Sequence, residues 1–200
     1  IMATITEYFE QAQLSLAAYA LNLTQGIAGT DYTDKLKAAG MSATQAAAFA
    51  ATYSVIEQCT DPLGFSATLF QRGTQKCLAI RGTEGSNYGV DFFVDLGIFT
   101  GTGAVDQYTA LETWHQGLLA SGKLSTSEKV TVSGHSLGGF LAQGFSVDHP
   151  NAVSQTYTYN APGLGGLVAE IFQAMGWVQP NVPLNSIINI RAEPGLSATA

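Results

Sequence analysis

The pattern of apolar and polar positions changes period partway along the chain. The opening third reads as helices. Thr4-Ile5-Thr6-Glu7 has the form of a capping box, and after it Phe9, Leu16 and Leu23 fall near one face, with Tyr8, Ala12 and Tyr19 beside them. Asp31-Tyr32-Thr33-Asp34 caps a second short helix that ends at Gly40, and Ser42-Ala43-Thr44-Gln45 opens an alanine-rich third. Residues 53–57, 65–71 and 76–80 then read as strands. Turns at Asp61-Pro62-Leu63-Gly64 and Gln71-Arg72-Gly73-Thr74 fold them into an antiparallel meander. Val105, Tyr108, Leu111, Trp114 and Leu118 return to helical spacing. Beyond them come a strand over 129–133, a helix over 137–148 stopped at His149-Pro150, a strand over 155–159, a helix over 164–175 and a last strand over 186–191. Strand alternating with helix calls for a mostly parallel sheet covered on both faces, so the fold class is α/β with an antiparallel start.

Composition narrows this picture. A chain of 200 residues without repeats or low-complexity linkers reads as one domain over 1–200. Charged residues make up only 12%, about half the ordinary share, and 46% are hydrophobic, which excludes disorder. The net charge of −7 argues against a nucleic-acid partner. No apolar run reaches the ~20 residues of a membrane span, and Ile1 to Glu10 lacks the basic start of a signal peptide. Cys59 and Cys77 leave two readings open, one disulfide between strands of the meander or two buried thiols. Histidines and carboxylates do not fall at metal-ligand spacing, so neither a metal nor another cofactor is expected.

The chemistry concentrates in Gly134-His135-Ser136-Leu137-Gly138-Gly139, which joins a strand to a helix. This is G-x-S-x-G in the context that gives it meaning. A nucleophilic serine must stand on a tight turn at the carboxyl end of the sheet. Side chains at positions 134 and 138 would collide across that turn, and glycines stand there. The helix aims its first N–H groups at the site, with Leu137 placed to stabilise an oxyanion.

With that motif in place, the chain resembles the class 3 (fungal triacylglycerol lipase-like) lipases of the α/β-hydrolase superfamily, their bacterial relatives included. The segments that carry the resemblance are Cys77 to Thr83, Asp91-Phe92-Phe93-Val94-Asp95-Leu96, Gly134 to Gly139 and Thr158 to Gly163, in that order, spanning about Ser54 to Arg191. The resemblance implies hydrolysis of lipid esters through an acyl-enzyme on Ser136. Thr83 and Leu137 would form the oxyanion hole, and the elbow would be built by Gly134, His135 and Gly138. It also implies a lipid–water interface as workplace, an extracellular location and a lid. The glycine-rich Ile98 to Gly103 reads first as a simple flexible loop, with a hinge or border of that lid as the alternative.

Serine needs a base, and in this fold the order is Ser, then Asp or Glu, then His. Among the later carboxylates, Asp148 ends the helix far from the active face and Glu170 sits mid-helix. Glu193 follows the last strand, where the acid belongs, although the family more often has Asp-Pro where this chain has Glu193-Pro194. His115 reads as a half-buried helix residue, His135 as the elbow's variable position, and His149 as a helix cap. None follows Glu193. The expectation is therefore a fragment, incomplete at the C-terminus, whose catalytic histidine lies on a further segment or a separate chain. The alternatives are an inactive lipase-like module that binds lipid or protein, and one of the three histidines acting in an unusual geometry.

Overall fold

The structure is a computed structural model and describes residues 4–82, 103–162 and 186–191. Helix α1 spans Ile5–Ala17, and its N-terminus is the expected capping box: Glu7 N–H donates to Thr4 Oγ1 at 3.2 Å, and Thr4 N–H donates to the Glu7 carboxylate. Helices α2 (Gly29–Ala38) and α3 (Ala43–Thr52) follow. The first starts two residues before Asp31 and stops short of Gly40, and the second is boxed by Ser42 and Gln45. Strands β1 (Ser54–Thr60), β2 (Ser66–Arg72) and β3 (Gln75–Ile80) form the antiparallel meander. Then come α4 (Gly103–Ala120), β4 (Val130–His135), α5 (Leu137–Asp148), β5 (Val153–Tyr159) and β6 (Ile187–Ile190). The last three pairings, β3 with β4, β4 with β5 and β5 with β6, are parallel, and the six strands lie in the sheet in chain order.

Alternation along the strands sorts the core into two halves. On one face Ala67, Leu69, Leu78, Ile80, Val130 and Val132 pack against Leu111 and Leu118 of α4 and Phe140, Leu141 and Phe145 of α5. On the other, Val55, Phe70, Cys77 and Ala79 pack against Leu14, Tyr32, Leu36 and Phe49 of the first three helices. The sheet is thus sandwiched between helices, as an α/β pattern requires.

Two local expectations change. Phe9 is 55% exposed, whereas Leu14, Gln11, Ser15 and Ala17 are the buried residues of α1. The helix buries a mixed face of Leu14, Ala17, Gln11 and Ser15, and Leu23 lies past its end. Cys59 and Cys77 are both free. Strand β2 separates them, and they belong to opposite core faces, so no bridge can form. Thr131 Oγ1 donates to Cys77 Sγ at 3.0 Å, and burial pushes both thiols up from their ordinary pKa. The predicted helix over 164–175 lies outside the described residues.

Candidate active site

Parallel register brings Ile80, Gly134, His135, Tyr159 and Ile190 together at the carboxyl edge of the sheet. That edge is where α/β folds place their sites. Between β4 and α5, Ser136 turns the chain with φ 57° and ψ −124°, a conformation that side-chain-bearing residues seldom hold. Two hydrogen bonds fix it: Ser136 N–H donates to Tyr159 O at 2.9 Å, and Phe140 N–H donates to Ser136 O at 3.1 Å.

Close approach accounts for the glycines. A Cβ on Gly134 would lie 2.4 Å from the backbone of Gly138, and one on Gly138 would lie 2.3 Å from Ile80 O. Gly139 is as constrained, with Ala161 Cβ 2.6 Å away. Contact also reaches the loop after β3, where a Cβ on Gly82 would sit 2.5 Å from His135 O and 3.4 Å from Ser136 Cβ. The β3 exit loop therefore rests directly on the turn.

Ser136 is 3% exposed, and its Oγ has no hydrogen-bond partner among the described residues. An unpaired buried hydroxyl costs about 1–3 kcal/mol and so calls for a role. Leu137 opens α5, so its N–H is among the first-turn donors that no helical carbonyl satisfies.

His135, the last residue of β4, is half-buried. Its Nδ1 is hydrogen-bonded to the Tyr19 hydroxyl at 3.1 Å, and burial pulls its pKa below the ordinary histidine value. It lines a cavity of about 340 Å³ together with Ala12, Ser15, Leu16, Tyr19 and Tyr159. Tyr19 is a site neighbour that the sequence pattern noted only as flanking the apolar stripe of α1; nothing in its spacing tied it to the elbow.

The other two histidines are far from the turn. His149 caps the opposite end of α5, with the whole 12-residue helix, about 18 Å, between it and Ser136, and His115 of α4 packs on Phe145 and His149 at that same end. His115 is 5% exposed, so it is a buried residue rather than a half-buried one, because α5 covers the α4 face that carries it. The absence of ligand spacing in the sequence also needs revision. Glu112 and His115, one turn apart on α4, meet His149 from α5, with one potential ligand atom from each within 4.8 Å of the others. Asp148 lies at the far end of α5, where its carboxylate accepts the Tyr108 hydroxyl at 2.6 Å. Thr83, Glu170 and Glu193 lie outside the described residues, as do 91–96 and 98–102; Gly103 begins α4.

No protein-family profile matches the chain, and no curated protein matches it. Among solved structures, it is similar to the Lip2 lipase of Yarrowia lipolytica, with a TM-score of 0.53 and 19% identity over 82% of this chain. The chain spans 64% of that lipase's length. A second likeness, to lipase II of Rhizopus niveus, has a TM-score of 0.45 and 17% identity over 94% of this chain and 72% of that one, and adds no argument. The Yarrowia source is a fungus, so the bacterial affiliation read from the sequence has no counterpart in it. The fold is a lipase-like α/β-hydrolase fold.

Proposed function

We propose that the chain carries the nucleophilic half of a serine carboxylic-ester hydrolase that acts on lipid esters. The observation that carries this reading is Ser136: a buried hydroxyl without a partner among the described residues, on a strained strand-to-helix turn walled by glycines. In this mechanism a base removes the hydroxyl proton as Ser136 Oγ attacks the ester carbonyl. The carbonyl oxygen becomes an oxyanion held by the N–H groups of Leu137 and Thr83, each such donor contributing about 3–4 kcal/mol in the transition state. Collapse expels the alcohol, which takes the proton, and water then releases the acid from the acyl-enzyme by the same steps. Thr83 follows Gly82, which lies against the turn, and this supports its place in the oxyanion hole. Glu193 would orient the base.

The base comes from outside these residues. His135 is turned to Tyr19, and His115 and His149 are a helix length away. The reading therefore requires an imidazole from a further segment or a separate chain. A chain whose surface is poor in charge, with 12% charged residues overall, suits work at a lipid–water interface, and an extracellular setting agrees with that.

That none of the described histidines is hydrogen-bonded to Ser136 Oγ favours one second reading, a non-catalytic module that binds lipid or protein. A phosphonate ester probe separates the two. For a hydrolase, mass spectrometry finds the adduct on Ser136, added imidazole accelerates its formation, and Ser136→Ala abolishes it. No adduct with or without imidazole establishes the binding module.

A further inference from the structure

At the end of α5 remote from Ser136, three ligand-type side chains converge. His149 Nε2 lies 2.7 and 2.9 Å from the two carboxylate oxygens of Glu112. The rings of His115 and His149 are 4.8 Å apart at 65°, and Phe145 packs against both. His115 is buried, yet its Nδ1 has no hydrogen-bond partner among the described residues. A hydrogen-bonded His–Glu pair explains two of the three residues. It leaves unexplained why a second imidazole, with an orphan nitrogen, is buried against that pair. Beside them lies a cavity of about 260 Å³ whose wall includes His115, His149 and Asp148.

We propose that Glu112, His115 and His149 form a binding site for a divalent transition-metal cation, zinc first. Two imidazoles and one carboxylate are the donors that suit zinc; calcium and magnesium prefer oxygen throughout. Zinc takes such ligands at about 2.0–2.2 Å in a tetrahedron, so donor atoms come to rest about 3.3 Å apart. The observed spread of up to 4.8 Å calls for shifts of about 1.5 Å to reach that value, and Glu112 moves back slightly from His149 as the ion enters. A proton now stands where the ion would bind. It leaves His149 Nε2 for the ring's other nitrogen or for water. The cavity offers a path of entry and room for water as the fourth ligand.

The site is structural in effect. It ties α4 to the end of α5, about 18 Å from the nucleophile along a 12-residue helix. Its occupancy therefore reads out in binding and stability, and it stands or falls apart from the hydrolase reading.

The test uses the untagged chain, stripped with chelator, and titrates it with zinc by calorimetry. One ion binds per chain and raises the melting temperature. His115→Ala and His149→Ala each weaken binding by more than the roughly 10–100-fold that loss of an outer-shell partner costs. His135→Gln, which alters the remaining histidine of the chain, leaves it unchanged. A second measurement does not depend on the variants folding. Diethyl pyrocarbonate modifies His149 in the stripped chain, and zinc protects it, as mapped by mass spectrometry. No binding at 100 µM zinc, or binding retained by both alanine variants without protection of His149, overturns the proposal.

Discussion

Ser136 holds its φ of 57° at a cost of about 1–3 kcal/mol, which the surrounding hydrogen bonds and glycine contacts impose. Glycine would relax that conformation and alanine would not. Ser136→Gly should therefore melt at a higher temperature than Ser136→Ala, by about 1 kcal/mol in stability, although both lose the hydroxyl. Equal melting temperatures would mean that the turn is unstrained. One residue earlier, His135 makes a pH-dependent contribution. Burial lowers its folded pKa below the ~6.5 of an unfolded chain, so the stability it supports is fully present above pH ~6.5. It is lost as pH falls through the depressed value, because the unfolded chain takes up the proton first. His135→Gln should flatten the acid side of the stability–pH profile, measured by urea unfolding. At this scale the motif was legible because the turn itself leaves no room for a side chain at Gly134, whereas the demand on Gly138 comes from Ile80 of β3 and could not be read locally. Tyr19 was not legible as a neighbour of His135, because their contact spans 116 residues and depends on how α1 crosses the sheet.

Elements fared differently according to how their faces are made. Helix α5 is buried from Leu137 to Val147, and its bounds could be read from the elbow and from His149-Pro150. Helix α1 misled because its buried face includes the polar Gln11 and Ser15 beside Leu14 and Ala17, so apolar spacing counted from the exposed Phe9 does not mark it. Asp31 misled for α2 because the helix begins at Gly29 without a side-chain cap. Inside α5, Gln143 is a buried amide that an apolar helix would not be expected to carry. Its Nε2 donates to Pro162 O at 2.9 Å and to Gly139 O at 3.2 Å, pinning the segment after β5 to the elbow helix. Gln143→Leu keeps the volume and orphans the Pro162 carbonyl. It should cost about 1–3 kcal/mol, seen as a lower urea midpoint at unchanged slope.

For the molecule as a whole, the alternation of strand and helix was enough to give the α/β class, and the parallel register then explains why the elbow lies at the carboxyl edge of the sheet. Pairings across that edge and between helices were not legible. Glu112 and His149 meet only because α4 and α5 pack together on one face. Likewise, Cys59 and Cys77 looked bridgeable until β2 was placed between them. Two strand spacings of about 4.8 Å exceed the ~7 Å limit for a disulfide. Mass spectrometry of the chain after mild oxidation should therefore find no intramolecular Cys59–Cys77 bond. The strand order carries one more consequence. Each of the six described strands lies beside its neighbour in the chain, so as residues leave the ribosome every strand meets an edge that has already emerged. No strand must wait for a later one to open a place for it, which favours progressive accretion from the meander outward over a search among distant partners.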